Sequence, residues 1–394
     1  MDKKTCLLIV SCITILVWGV FLGIKFLRND KDEKIVDVIE VGKNTDLPET
    51  YEDNGIFTQY YKLAYEKLKT MNIDQKIAQL LLVHYPDNAL DVLSKYQFGG
   101  FVFFEKDFSD KNQEDVKNEI KSLQQKVDIP LLTAVDEEGG EVVRVSSNPL
   151  LIAEKFKSSQ ELYNLGGLEL IKEDTITKSK FLYSLGLNLN LAPVVDVSLD
   201  STNYIYKRAL GENTTITSNY AKAVIEASKK TGVSYTLKHF PGYANNTDTH
   251  LGSSIDPRSY EDVMSRDIPP FTEGIKAGAE AILISHNIIS SMDAANPASL
   301  SKNVHELLRD DLSFSGVIIS DDLSMKATSK IADVELKAIK AGNDLIITTY
   351  YEQSFNALKD AYANKKLSDE EIDKKVFRIL AWKYYKGLMF EVQK

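Results

Sequence analysis

Val233-Ser234-Tyr235-Thr236-Leu237-Lys238-His239-Phe240-Pro241-Gly242 starts as a β-branched, apolar run and breaks at a Pro-Gly turn. It continues through Tyr243, Ala244, Asn245, Asn246 and Thr247, a polar loop with neither helical nor strand period, to Asp248-Thr249-His250. Charged and imidazole groups at the end of a hydrophobic strand cost stability unless they serve a purpose. In an extended segment Asp248 and His250 project to the same side. The carboxylate can then accept the imidazole N–H and set its tautomer for proton transfer. Taken alone, an Asp-x-His tripeptide is equally at home in a solvated loop.

The run is one of about eight. The others are Gln79 to Val83, Gly99 to Phe104, Pro130 to Asp136, Leu187 to Val197, Ala281 to His286, Gly316 to Asp322 and Asp344 to Tyr350. Between most of them lie amphipathic segments: Gln113 to Val127, Ser218 to Lys230, Tyr260 to Ala277 and Ala332 to Ala341. Strands alternating with helices predict parallel βαβ units, and near-continuous apolar strands predict a sheet covered by helices. Eight such units predict an α/β protein, a (β/α)8 TIM-type barrel with insertions. An open doubly wound sheet is the competing arrangement. The Gly-rich phosphate fingerprint expected of it after the first strand is replaced by Val83-His84-Tyr85-Pro86. A helix-like stretch, Asp369 to Tyr385, follows the last run and could close the barrel.

The chain has 394 residues and a net charge of −10, which argues against a nucleic-acid partner. Both cysteines, Cys6 and Cys12, lie in an N-terminal apolar segment, so the folded part has neither a disulfide nor a Cys nucleophile. Cys6 to Ile24 is uncharged and flanked by Lys3, Lys4, Lys25 and Arg28. That length suits a hydrocarbon core of about 30 Å. Residues 1–28 are therefore expected to be a single-pass membrane anchor, a transmembrane helix with the rest of the chain extracytoplasmic. The alternative is a cleaved or lipidated export signal, Ile9-Val10-Ser11-Cys12 resembling a lipoprotein box, which leads to the same compartment. Residues 29–54 are charged and aperiodic and are expected to form an acidic linker. Residues 55–394 are expected to form the catalytic barrel.

Active sites of parallel barrels form at the C-terminal ends of the strands. Five consecutive runs end in ionisable groups. These are Asp136-Glu137-Glu138-Gly139-Gly140-Glu141-Val142-Val143-Arg144, then Asp196 with Arg208 beyond it, Lys238-His239, Ser285-His286-Asn287 and Ser320-Asp321-Asp322. The last could also be an ordinary helix N-cap. His239, His250 and His286 with Asp136 or Asp321 could hold Zn or Mn, but no H-x-H or H-E-x-x-H spacing supports a metal. Carboxylates mixed with Lys, His and Arg donors suit a carbohydrate better. Its hydroxyls need such partners, and acetal hydrolysis needs a nucleophile and a proton donor.

Four motifs together carry a resemblance: Asp136-x-Glu138-Gly139-Gly140, Lys238-His239-Phe240-Pro241-Gly242, Asp248-x-His250 and Ser320-Asp321-Asp322-Leu323-Ser324-Met325. In this order, over about residues 57 to 385, they resemble glycoside hydrolase family 3, most of all its single-domain β-N-acetylhexosaminidase branch of the NagZ type. The resemblance implies that Asp321 is the nucleophile of a retaining reaction and that Asp248 and His250 are its acid/base dyad. Strand position alone leaves Asp321 and Asp322 as alternatives, since neighbours face opposite sides. The resemblance also implies that Asp136, Arg144, Arg208, Lys238 and His239 bind the terminal sugar. It implies that Asn190-Leu191-Ala192-Pro193-Val194-Val195-Asp196 lines the pocket. Two departures stand out. The family's usual H-G after Pro-Gly is Tyr243-Ala244, expected to alter loop mobility, and the usual D-Q-E-G-G is Asp136-Glu137-Glu138-Gly139-Gly140.

The implied activity is that of an exo-β-N-acetylglucosaminidase with no cofactor or metal. The extracytoplasmic topology points to cell-wall glycan, peptidoglycan or its fragments, as substrate. The competing activities are an exo-β-glucosidase on the same scaffold, a metal-dependent barrel hydrolase, and a tethered glycan-binding protein that has lost catalysis.

Overall fold

Apolar runs with ionisable ends form strands here because helices cover one side and packed side chains the other. In the computed structural model, which describes residues 47–48, 51, 54–243, 252 and 254–389, ten strands are present. They are β1 (Leu81–His84), β2 (Gly100–Phe103), β3 (Leu132–Val135), β4 (Leu189–Asn190), β5 (Ser234–Phe240), β6 (Ile255–Asp256), β7 (Ala281–Ile284), β8 (Ile288–Ile289), β9 (Val317–Ser320) and β10 (Ile346–Thr348). Eight pair in parallel in the order β10-β1-β2-β3-β4-β5-β7-β9. A parallel bridge between Ile319 and Leu345, with Ser320 N donating to Leu345 O at 3.0 Å, brings β9 back to β10. The result is a nearly closed eight-stranded barrel in which each of the eight runs contributes one strand. The remaining pair, β6 and β8, forms a separate two-stranded ribbon.

Regular structure is shorter than the apolar runs where proline intervenes. The run Leu187 to Val197 yields only two residues of β4, since Pro193 has no N–H for a ladder. Its remainder stays extended and buried, with Val195 N donating to Lys238 O at 2.8 Å. The segment Tyr260 to Ala277 is not one helix but two, Tyr260–Arg266 and Ile268–Lys276. Pro269 and Pro270 lack the N–H groups that would carry a helix through, so a new one starts there. The helix Ser159–Ser184 has no counterpart among the segments read from amphipathic period. Gly166 and Gly167 leave helical geometry inside it and break its apolar face in two.

The C-terminal helix Asp369–Tyr385 begins at a capping box between Ser368 and Glu371 and packs on the helix Tyr61–Lys69. Trp382 is fully buried and donates its indole N–H to Ser234 Oγ at 3.1 Å and Glu280 Oε2 at 2.9 Å. Next to it, Lys383 Nζ reaches Gln79 Oε1 at 2.7 Å. Gln79, Ser234 and Glu280 all sit at or before the starts of strands, so this helix seals the barrel's N-terminal end. The other mouth, at the C-terminal ends of the strands, is not covered by this helix.

The expected membrane span, Cys6 to Ile24, lies outside the described residues. Among those described, no helix is long and apolar enough to cross a membrane. Most of the expected linker is also outside them. Within it, Tyr51 packs its ring against Phe377 at 4.6 Å and Tyr65 at 5.3 Å, so contact with the barrel begins before residue 55.

Candidate active site

At the C-terminal mouth, β3 and β5 meet β4 through an ionic cluster. Lys238 Nζ lies 2.6 Å from both Asp136 Oδ1 and Glu138 Oε1. Arg208 grips Glu138 bidentately, Nε to Oε2 at 3.0 Å and Nη2 to Oε1 at 2.7 Å. Burial opposes charge on Glu138, but Arg208 and Lys238 outweigh it and hold the carboxyl well below the usual carboxylate range. Burial likewise disfavours the charged Arg208, yet Glu138 raises it well above its ordinary value.

His239 belongs to the same group. Its Nδ1 sits 2.8 Å from Asp196 Oδ2, and its Nε2 is 3.3 Å from Arg208 Nη2. A guanidinium can only donate, so Nε2 accepts and Nδ1 carries the proton toward Asp196. Neighbouring side chains on a strand ordinarily diverge, but Lys238 and His239 both reach this cluster. Pairing of β5 with β7 shifts register between Leu237 and Phe240, an irregularity that redirects side chains. Asp196 also accepts the N–H groups of His239 at 3.1 Å and Tyr243 at 2.8 Å.

The loop after β3 is shaped from within. Glu137 is fully buried and accepts the N–H groups of Arg144 and Val145 at 2.8 Å each, and the Ser146 hydroxyl. It braces the loop and leaves the ligand-facing work to its neighbours. Gly139 and Gly140 have φ of 102° and 66°, and a Cβ on Gly139 would sit 2.1 Å from Lys157 O. Only glycine fits there. Arg144 is held apart from the ionic cluster, its guanidinium carbon 5.8 Å from the centre of the Phe104 ring. Its Nε is buried without a partner among the described residues.

Asp321 and Asp322 follow β9 and have different fates. The Asp322 carboxylate pairs with His84 Nε2 at 3.0 Å and accepts the Ser324 N–H at 2.8 Å. Burial raises its pKa, but the His84 contact and the Ser324 N–H bring it below the ordinary value. Asp321 accepts only the N–H of Asp322, at 2.9 Å, among the described hydrogen bonds. His286 is fully buried, with Nδ1 2.7 Å from Ser299 Oγ and Nε2 2.9 Å from Asp322 O. It serves the scaffold. Among the described residues no group of three or more His, Cys, Asp or Glu could hold a metal ion.

Asp248 and His250 lie outside the described residues, as does Ala244. Tyr243 is described, whereas the loop whose mobility the Tyr243-Ala244 departure is expected to alter lies outside the described residues. Tyr243 is 2% exposed, packed with Val194, Ile205 and Ala209, its ring 5.0 Å from that of His239. An aromatic ring there is worth more buried than solvated.

Glu138 and Asp196 are in view at the strand ends, Glu138 without a role of its own and Asp196 only as pocket lining, while His84 is not among them. Glu138 and Asp196 stand in quoted motifs, and His84, which directly follows the first apolar run, is the last residue of β1.

Residues 72–382 match the glycosyl hydrolase family 3 N terminal domain. The chain belongs to this family. A beta-hexosaminidase of Glaesserella parasuis serovar 5 (strain SH0165) is 35% identical over 253 residues, 63% of this chain and 72% of that protein. One from Actinobacillus pleuropneumoniae serotype 5b (strain L20) is 31% identical over 283 residues, covering 68% and 80%. Among solved structures, a glycoside hydrolase family 3 beta-N-acetylglucosaminidase from Paenibacillus sp. str. FPU-7 aligns with a TM-score of 0.75 at 28% identity. That alignment covers 82% of this chain, which spans 64% of the Paenibacillus protein. This family 3 chain is accordingly a glycoside hydrolase of the β-N-acetylhexosaminidase kind.

Proposed function

We propose that the protein is a retaining exo-β-N-acetylglucosaminidase that removes terminal N-acetylglucosamine from cell-wall-type glycans. The observation that carries this reading is the division of labour between two adjacent carboxylates. Asp322 is engaged by His84 and Ser324, while Asp321, part-exposed at the mouth, accepts a single hydrogen bond among the described residues and keeps lone pairs for attack.

In the first step an Asp321 oxygen attacks the anomeric carbon as the bond to the leaving oxygen breaks, and His250, oriented by Asp248, gives that oxygen its proton. In the second, His250 takes a proton from water, which displaces Asp321 and releases the sugar. Lys238, with one N–H beyond those given to Asp136 and Glu138, and Arg144, whose Nε has no partner among the described residues, are donors for sugar hydroxyls. Asp136, Arg208 and His239 complete the set. No step uses a metal or cofactor. We further propose anchorage through Cys6 to Ile24, with the barrel extracytoplasmic.

Intact-mass analysis after treatment with a slow 2-acetamido fluoro-sugar is the test. A glycosyl adduct mapped to the peptide carrying Asp321 is expected. Labelling elsewhere, or wild-type turnover by Asp321→Ala, would remove the assignment. A panel of aryl glycosides varied at the 2-substituent separates the glucosidase reading.

A further inference from the structure

His84 is the last residue of β1, and its ring lies 4.4 Å from that of Phe104. Its Nε2 is 3.0 Å from Asp322 Oδ2 and its Nδ1 is 3.0 Å from Thr349 Oγ1, just after β10. Thr349 N donates to Ser324 Oγ at 2.9 Å, and Ser324 N donates to Asp322 Oδ1 at 2.8 Å. These four residues form a closed ring of hydrogen bonds across β1, β9 and β10. It sits at the seam where β9 and β10 meet, beyond the Ile319–Leu345 bridge and next to the hydrogen bond from Leu323 N to Ile347 O at 3.0 Å.

Asp322 is the only member of that ring bonded to the proposed nucleophile. Its N–H donates to Asp321 Oδ1, and its carbonyl is held from the other side by His286 Nε2. The direction of that N–H sets which Asp321 oxygen is occupied and which is left to attack. A second, unpaired carboxylate beside the nucleophile would also disfavour its ionised form. His84 answers both needs: it fixes the Asp322 side chain and places a ring nitrogen within hydrogen-bond reach of it.

We propose that His84 is a positioning residue for Asp321, acting through Asp322. The inference rests on Asp321 being the nucleophile. His84 does not touch the leaving group, so its loss is felt equally by good and poor leaving groups, unlike loss of the acid/base residue.

The test uses His84→Ala, His84→Gln and Thr349→Val in the full chain, with Asp321→Asn as reference. For His84→Ala, kcat on aryl N-acetylglucosaminides is expected to fall about tenfold or more with KM within about twofold, and the rate of covalent labelling to fall by the same factor. Gln places an N–H donor near the position of Nε2 and is expected to recover kcat to within about threefold of wild type. Thr349→Val keeps the volume, loses the hydroxyl that holds the ring, and is expected to lower kcat about threefold. Should His84→Ala not fold, the other two variants decide. Wild-type kcat in His84→Ala, or in Thr349→Val, with Asp321→Asn inactive, overturns the positioning role while the nucleophile stands. Equal loss in His84→Ala and His84→Gln, accompanied by equal loss of thermal stability, also overturns it. Turnover by Asp321→Asn removes the nucleophile assignment itself.

Discussion

Lys238 Nζ lies 2.6 Å from Glu138 Oε1, and both side chains are at most 5% exposed. The same oxygen also receives Arg208 Nη2 at 2.7 Å, so one carboxylate organises two cations from different elements of the barrel mouth. A cluster of this kind is held in place by its own ion pairs, so a ligand bound there would need to impose little further ordering. Glu138→Gln leaves two buried cations with less compensation. A stability loss of about 3 kcal/mol and a fall in kcat/KM of about a hundredfold are expected. Urea unfolding and steady-state kinetics would check them. The ionised Glu138 binds fewer protons folded than unfolded, so its contribution is present above its ordinary value of 4.5 and is lost as pH falls below it.

Asp196 holds three N–H groups with two oxygens. In Asp196→Asn one oxygen becomes an NH2 that must face a donor, either the His239 Nδ1–H or the Tyr243 N–H. The imidazole is expected to switch tautomer, turning an N–H toward Arg208, with kcat/KM down about 10- to 100-fold. Nitrogen NMR of labelled histidine would read the tautomer directly.

Tyr243 fills a small apolar cluster beside His239. Tyr243→Ala is expected to destabilise the fold by about 3 kcal/mol through the cavity it leaves. Turnover should fall as well, since the ring backs His239. Unchanged unfolding midpoints in urea would show that the residue packs on nothing of consequence.

Lys383, at the sealed end of the barrel, is pushed by burial from 10.5 down to about 7. Between those values the unfolded chain binds a proton that the folded one does not, so stability rises with pH, by up to about 1.4 kcal/mol per pH unit. Lys383→Met is expected to be more stable than wild type near neutral pH. The gap between the two should close as pH approaches 10. Paired denaturant titrations at several pH values would reveal it.

The barrel was legible because each strand is short, apolar and bounded, and because helical and strand periods differ. Boundaries failed where proline withdrew an N–H, as at Pro193 and at Pro269-Pro270. The helix Ser159–Ser184 escaped notice because Gly166 and Gly167 split its face. Asp136, Lys238, His239, Arg208 and Asp321 stand at strand ends or in loops just beyond, where periodicity stops, so the candidate site was visible as a set. Arg144 is on the correct loop but outside the ionic cluster, and no local pattern says so.

Sequence alone determined the order of the eight barrel strands, the end of the barrel at which ionisable groups gather and the residue types available there, since these follow from local period and chain order. Tertiary structure alone decided the partners. Glu138 is a hub because Arg208 and Lys238 converge on it. Asp322 is occupied because β1 carries His84 to the end of β9. Hydrogen bonds between elements distant in the chain have no local signature. A carboxylate's role is set by what faces it across the barrel.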